Sequence, residues 1–532
     1  MKIRILLCVF LTSSRITFTQ QVQLEWAARY NGSGNDWDAA LAIAVDDSGN
    51  VCVTGGSLGT GTDRDYATIK YTRSGDSSWV RRFNGHENGF DVARDIAVDD
   101  SGNVYVTGTS VAATIKYDKF GNELWLRRFG QFSAGYRLLL NSTNNVVIAG
   151  ESGFDFMTLK YDIGGSLLWS ATFNGQANDN DRVNDMVPDC QGNIIVTGQS
   201  WGIGTQWDYL TIKYSPDGDT LWVRRYNGPA PPIEVSTDIG FGIAADDSGN
   251  AYVTGWSDGV SGVPQCLTIK YSPDGNTLWE RRFPSGGSIG YVGYDILNDS
   301  SGSIYVAVRA NGFEDKLLKY DRVGNLVWSA AYPANHTFAT NPPRLARDRF
   351  GNIYITSSDF VDPHTYYVVL KYDPNGNQRW EFRYRPPGNA SFTTNNAYAL
   401  AVDSLLYVYV TGESYVAGTG TSYDYLTLKI SQDPTSVQPT SDLIPNRIQL
   451  LQNYPNPFNA STKIEFTLPQ KSFVLLKVFN ILGQEVATLL SEELPIGTHA
   501  ASWEPFDSPS GVYICRLQTV REFITIKLVL IK

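Results

Sequence analysis

One phrase is written repeatedly along this chain, with some drift: a Val-Thr-Gly strand end, a loop, a Thr-Ile-Lys-Tyr strand, a tight turn and a tryptophan. It reads Val53-Thr54-Gly55, Thr68-Ile69-Lys70-Tyr71, Trp79, and then Val106-Thr107-Gly108, Thr114-Ile115-Lys116-Tyr117, Trp125. Its lysine recurs at Lys70, Lys116, Lys160, Lys213, Lys270, Lys319, Lys371 and Lys429, at spacings of 44 to 58 residues. A unit of this kind cannot bury its own faces and folds only by stacking on its neighbours, so the array constrains the fold before any single residue is considered.

Period-two alternation and turn residues resolve each unit into four strands. In the second unit strands are expected at 91–98, 104–108, 112–117 and 124–129, joined in a meander by turns at 99–103 and 119–122. The fourth-strand tryptophan stands at Trp79, Trp125, Trp169, Trp222, Trp279, Trp328 and Trp380, one fewer than the eight lysines. The eighth lies upstream, where Trp26-Ala27-Ala28-Arg29-Tyr30-Asn31-Gly32 parallels Trp79-Val80-Arg81-Arg82-Phe83-Asn84-Gly85. The expected fold is all-β: an eight-bladed β-propeller of four-stranded antiparallel blades over 22–430. The N-terminal strand should pair near 426–430 and close the ring, leaving no open sheet edge.

The Asp-Ser-Gly-Asn turn, the Val-Thr-Gly strand and the Thr-Ile-Lys-Tyr strand resemble the bacterial β-propeller repeats of large secreted and surface proteins. The resemblance covers about residues 22 to 430 and implies a fold without a shared reaction. Composition agrees with many short strands: 42% of the 532 residues are hydrophobic and 13% aromatic, with 49 Gly and 24 Pro. A net charge of -11 excludes the basic stripe of a nucleic-acid binder.

The N-terminus reads as a secretory signal over 1–20. Lys2 and Arg4 precede an apolar run from Ile5 to Leu11 that is too short to span a bilayer, and cleavage is expected between Thr17 and Gln21. No other segment approaches the ~20 apolar residues of a membrane helix. Cys8, Cys52, Cys190, Cys266 and Cys515 are odd in number and scattered, so they read as free thiols. Cys52 stands where the second unit has Tyr105, and Cys266 where the first has Tyr66, both apolar positions.

Turns between strands one and two, and between three and four, are short and Gly-centred. The long, varied loops (56–64, 200–207, 256–265, 413–422, 229–237, 331–343 and 386–394) all fall on the opposite side, where an extracellular glycan or protein ligand is expected. Trp37, Trp201, Trp207 and Trp256 on that side could stack sugars. One polar position recurs there, eight residues before the first-turn acid: Asp38, Asp91, Asp181, Asp238 and Asn395. A ring of carboxylates at a channel mouth could hold calcium, but recurrence at a repeat position is met more simply if each side chain satisfies its adjoining loop backbone.

No cofactor and no catalytic residue is singled out. Gly55-Gly56-Ser57-Leu58-Gly59 fits a nucleophile elbow, yet a loop and another strand follow where that motif needs a helix. His86, His336, His364 and His499 lack zinc-ligand spacing. The stretch from Thr268 to Trp279 is similar to the tryptophan-docking repeat of eight-bladed quinoprotein dehydrogenases. That leaves a propeller enzyme, quinoprotein-like or carbohydrate-active, as the alternative to a binding scaffold, although the vicinal disulfide common in those dehydrogenases is missing.

After residue 430 the texture changes. Residues 431–444 read as a polar, Pro-punctuated linker. Beyond it, strands are expected at 462–468, 473–479, 485–490, 497–503, 511–518 and 523–531, which suggests a small immunoglobulin-like β-sandwich over 445–532. Asn453-Tyr454-Pro455-Asn456-Pro457-Phe458-Asn459, the turn at Gly483, the Gly511-Val512-Tyr513 strand and the terminal run from Lys527 resemble the C-terminal sorting domain of type IX secretion cargo. The resemblance implies type IX machinery as partner through 445–532, and a secreted or outer-surface location.

Overall fold

The computed structural model describes residues 22–85, 88–229, 236–259, 262–284, 290–310, 314–333, 342–387, 391–417, 420, 422–432, 449–450, 453, 456, 458–459, 461–468, 471–494, 497–505, 508–519 and 523–531. The segment read as a signal, and residues 433–444 of the expected linker, lie outside them. Two compact units are present, 1–434 and 435–532. No helix occurs among the described residues.

The first unit is built from four-stranded antiparallel meanders. Six are separate sheets, and an eight-stranded sheet joins two more through one parallel bridge, His364 to Thr393. In the second repeat the strands are Ala93–Val98, Val104–Gly108, Thr114–Tyr117 and Glu123–Arg127. The strand Val22–Tyr30 pairs antiparallel with Tyr423–Gln432, in a register that sets Leu24 opposite Ile430 and Arg29 opposite Leu426. It becomes the outermost strand of the last meander. The first strands touch one another in succession, and Thr393–Val402 in turn touches Asp38–Val45.

Alternation explains the core. Second strands are buried on both faces, so Val51, Val53, Val104 and Val106 are fully enclosed while loops and fourth strands meet solvent. Each first turn is knotted by its leading residue, an aspartate in every unit but the third, where it is Asn141: Asp46 Oδ1 accepts from the Ser48 and Asn50 N–H groups (3.0 and 2.9 Å), and its Oδ2 from Asn50 Nδ2 (2.9 Å). These contacts hold the carboxyl below its usual range against the opposing effect of burial. This is an Asx-stabilised hairpin.

The repeated tryptophan ties each unit to the next. Trp79 Nε1 donates to Lys119 O (3.2 Å) and Trp222 Nε1 to Pro273 O (2.9 Å), both in the next unit's third turn. Across the join, Trp26 Nε1 donates to Arg73 O (3.1 Å). The indole lies flat on the turn glycine. Gly121, at φ 83°, would set a Cβ 2.8 Å from Trp79 Cδ2, so both conformation and space require glycine there. The buried third-strand lysine reaches the same turn. Lys213 Nζ donates to Pro273 O (3.1 Å) and pairs with Asp189 (2.8 Å), which satisfies a charge otherwise costly to bury.

The last meander takes its fourth strand from the N-terminus, and a side chain stands in for the turn carbonyl of the other units. Gln432 Oε1 accepts from both Lys371 Nζ (2.8 Å) and Trp380 Nε1 (3.1 Å). The strand therefore runs two residues into the segment read as linker, because Gln432 completes the last docking site.

The second unit holds a three-stranded and a four-stranded sheet. Phe458, Ile464, Phe466, Val474, Leu476 and Trp503 belong to its single hydrophobic cluster. The strands Thr462–Leu468, Gly497–Trp503 and Gly511–Gln518 have the expected bounds, and Glu485–Leu494 runs four residues longer than expected.

Candidate functional site

First strands form the inner edge of each meander, and most carry a β-bulge at one fixed place. The register shifts between Ala40 and Ala42, Ala93 and Asp95, Gly135 and Arg137, and Val183 and Asp185, and again in the later units. A bulge re-aims the extra residue and its successor off the regular ladder. The extra residues are Leu41, Arg94, Tyr136, Asn184, Phe241, Tyr294 and Tyr398, all half-buried on the variable-loop half of their strands. Phe241 and Tyr294 stack at 4.9 Å.

The next position along is charged in five units: Asp95, Arg137, Asp185, Asp295 and Arg344. These side chains converge from different units. Arg137 Nε meets Asp185 Oδ1 at 3.2 Å, and Arg344 feels Arg137, Asp295, Asp185 and Asp95 together. Each acid also staples the neighbouring first strand: Asp95 accepts from Leu138 N, Asp185 from Ile243 N (3.0 Å), and Asp295 from Leu345 N. Burial pushes Asp295 up to about 6, with Arg344 opposing the shift. A cluster of ionic side chains from separate units thus lies next to the half-buried aromatic and polar bulge residues.

The recurring carboxylates are enclosed one by one. Asp38, Asp91, Asp181 and Asp238 each accept, through Oδ2, from a loop glycine N–H, those of Gly32 (2.6 Å), Gly85 (2.5 Å), Gly175 (2.6 Å) and Gly228 (2.8 Å). Asn395 accepts from Ser414 Oγ (2.6 Å) and donates to Thr365 O (2.6 Å). Among the described residues no group of three or more His, Cys, Asp or Glu side chains is placed to hold a metal ion.

Asp38 is fully buried, and desolvation raises its pKa from 3.8 to about 6. A raised carboxyl contributes stability below pH ~4 that is lost as pH rises through about 6. Asp38→Asn should therefore stabilise the protein by about 1–3 kcal/mol at pH 7.5, with the gain vanishing below pH ~4 and calcium moving neither melting curve. A gain equal at both pH values, read by calorimetry, would rule out burial of charge as its cause.

Other singled-out residues serve the scaffold. Ser57 Oγ accepts from Arg82 Nη1 (2.5 Å) between two strands. His364 Nδ1 lies 3.2 Å from Thr393 Oγ1, His499 packs on Phe466, and His86 and His336 lie outside the described residues. Cys52, Cys266 and Cys515 are buried free thiols, and Cys190 is an exposed one. Trp201 and Trp207 meet edge to face at 5.0 Å, and Trp256 Nε1 donates to Asp258 (2.8 Å). Trp37 donates to the buried Glu413 (3.0 Å) and carries the Arg64 guanidinium 3.8 Å above its ring. Cavities of about 570, 310 and 280 Å³ lie on the short-turn side, between docked units, lined by scaffold residues such as Lys270, Trp279 and Asp46.

The bulge residues were not anticipated. Their signal is one of contrast: five places before the leading Asp or Asn of the first turn, the residue changes in nearly every repeat, while the position just before it is Ala or Gly in six of the seven bulged units.

In the second unit, Asn456 pins the terminal strand Phe523–Leu530. Its Oδ1 accepts from Val529 N (2.8 Å) and its Nδ2 donates to Lys527 O (3.2 Å). Phe458 is 3% exposed, bonds through its backbone to Val529 and Ile531, and packs on Trp503, which meets Tyr513 at 5.0 Å. Asn453 donates to Thr462 Oγ1 (2.8 Å), and Tyr513 OH to Pro509 O (2.7 Å). Asn459 is exposed, Gly483 (φ 77°) closes an Asn480-led turn, and Gly511 opens its strand in open space. Pro455 and Pro457 lie outside the described residues.

Residues 452–532 match the family model of the secretion system C-terminal sorting domain, and residues 79–112 and 222–260 match that of the β-propeller repeat. No curated protein matches. Among solved structures, the C-terminal WD40 domain of Sif2 is similar at 10% identity and TM-score 0.47, over 77% of this chain and 99% of that one. A virginiamycin B lyase from Staphylococcus aureus is similar at 11% identity and TM-score 0.38, over 63% of this chain and 96% of that one. PorZ, a surface component of the type IX secretion system of Porphyromonas gingivalis, is similar at 12% identity and TM-score 0.31, over 93% of this chain and 81% of that one. Likeness at these levels says nothing of activity.

Proposed function

Since the chain is a β-propeller-repeat protein ending in a type IX secretion sorting domain, and is a secreted or outer-surface protein, we propose that its repeats close into an eight-bladed binding module that takes its ligand at the channel mouth. Closure is supported by the pairing of Val22–Tyr30 with the last strand and by the succession of first strands. For the second unit we propose an immunoglobulin-like sandwich, supported by two sheets sharing one core.

The observation that carries the binding reading is the contrast within the repeats. Turn aspartates, docking tryptophans and bridging lysines recur because the scaffold needs them. Leu41, Arg94, Tyr136, Asn184, Phe241, Tyr294 and Tyr398 occupy one structural position with seven side chains of five different types. Residues outside the turn and docking signatures, gathered around one opening and rich in aromatics and hydrogen-bonding groups, suit a ligand, even where one of them also bonds a neighbour, as Asn184 does to Gly240 O (2.9 Å). The resemblance to quinoprotein docking repeats is met by the packing of Trp279 on the next unit alone.

A glycan and small-molecule array on the whole secreted protein tests this. A ligand so found should bind at least 10-fold more weakly to Phe241→Ala or Tyr136→Ala at near-unchanged melting temperature, as expected for a loss of about 1.4 kcal/mol or more. Binding indifferent to both substitutions would place the ligand elsewhere.

A further inference from the structure

Among the described residues Arg94, at this mouth, has no anionic partner, and Arg64 forms no ion pair but faces the buried Glu413. Arg94 is the bulge residue of Ala93–Val98, half-buried, with Nε enclosed and no acceptor for it among the described residues. Other arginines are matched: Arg82 with Asp65 (2.9 Å), Arg225 with Asp208 (2.6 Å), Arg29 with Asp424 (2.6 Å), and Arg137 with Asp185 (3.2 Å). Burial, with Arg137 and Arg64 acting in the same direction, holds the Arg94 pKa below its usual value, and Asp91, three residues ahead of Arg94, donates its N–H to the carbonyl of Arg64 (2.7 Å). Arg64 rests over Trp37 at 3.8 Å and faces Phe90 at 5.0 Å, without an ion pair among the described residues.

Groups that could neutralise Arg94 are committed elsewhere. On its own strand, Asp95 accepts from Leu138 N and Ile96 N and faces Arg137. On the neighbouring first strand, Tyr136 OH donates to Glu151 Oε1 (2.5 Å), and Glu151 also faces Arg182. Tyr66 OH, from the third strand of the preceding unit, donates to Thr109 O and Ala113 O. Glu413, beyond Trp37, accepts from Trp37 and Asn396. An arginine cannot shed its proton to escape burial, so an unmatched enclosed guanidinium leaves the site short of a negative charge.

Resting on the mouth as a binding site, we propose that Arg64 and Arg94 together clamp the carboxylate of an acidic saccharide. The planar guanidinium fork matches a carboxylate in two parallel hydrogen bonds. Half-exposed Phe90 and the Tyr136 ring offer the flat apolar faces on which a sugar ring stacks. A chain of net charge -11 would otherwise repel such a ligand, so attraction has to be local.

Trigalacturonate and its neutral counterpart trigalactose are the probes, titrated calorimetrically into the whole secreted protein. Wild type should bind only the acidic trimer, and Arg94→Gln should bind it at least 10-fold more weakly. Because Arg94→Gln removes an unmatched buried charge, its ligand-free melting temperature should equal or exceed that of wild type, and sulfate should raise the wild-type value more than the variant's. A drop in ligand-free melting temperature would overturn the clamp by making Arg94 a scaffold residue. So would equal binding of trigalacturonate by both proteins, no binding at all, or a sulfate response without saccharide binding. If trigalacturonate binding survives Arg94→Gln but is lost in Phe241→Ala, the clamp fails and the mouth stands. If it survives both, the mouth fails as well.

Discussion

Removal of residues 22–32 is expected to lower the melting temperature by more than ~10 °C, or to leave no cooperative transition. The strand Val22–Tyr30 contributes a full register to Tyr423–Gln432, the Arg29–Asp424 ion pair at 2.6 Å, and an indole packed at 5.9 Å from Tyr71 and 6.5 Å from Tyr409. Trp26, Ala28 and Tyr30 cover the cluster of Ala40, Val51, Val53, Tyr409 and Tyr425. Without them that cluster meets water and the last meander presents an unpaired edge, a template for association. Calorimetry with light scattering measures both effects. Trp26→Ala is the graded form, expected to cost about 2–4 kcal/mol given that Trp26 is only partly buried. A shortened chain that melts like the full one would show that the last meander does not depend on Val22–Tyr30.

The second large effect concerns export. Phe458→Ala should leave the protein in the periplasm of a type IX-competent host. Phe458 is 3% exposed and joins the terminal strand to Trp503. Truncating such a ring costs about 3–5 kcal/mol, a large part of the total stability of a domain this small. Asn456→Ala should act in the same direction with less force, since it removes two hydrogen bonds to the terminal strand. The readout is cell fractionation beside thermal melting of the sorting unit. Normal secretion of a Phe458→Ala protein whose sorting unit is unfolded would separate export from the folded state of that unit.

The array was legible because it is written in residues whose jobs are local and repeated. Gly121 must be glycine beneath Trp79, Asp46 must knot its turn, and Trp26 betrays the closing strand by kinship with Trp79. Asp38 and its counterparts were visible as a recurring position, and their loop-binding geometry follows from that recurrence. The mouth was not legible, because a bulge shifts alternation by one place and hides which side chain faces inward. Nor was the ionic cluster, since Asp95, Arg137 and Arg344 look like ordinary surface charges until strands from separate units bring them together. Gln432 was likewise read as linker, because its side chain does the work that a turn carbonyl does in the other units.

That imitation has a consequence for how the molecule could be recut. Gln432 ends one strand and Val22 begins its antiparallel neighbour, so the two lie opposite each other where every other repeat has a five-residue turn such as 215–219. A single Ser-Pro-Asp-Gly-Asp turn running from Ile430 to Leu24, in place of Ser431, Gln432, Val22 and Gln23, would make the seam an ordinary hairpin, and the chain could be opened at any other third turn instead. Such a circular permutant would retain the pairing of the N-terminal strand with the last meander, and the export tail could be hung from a different repeat without altering the variable loops.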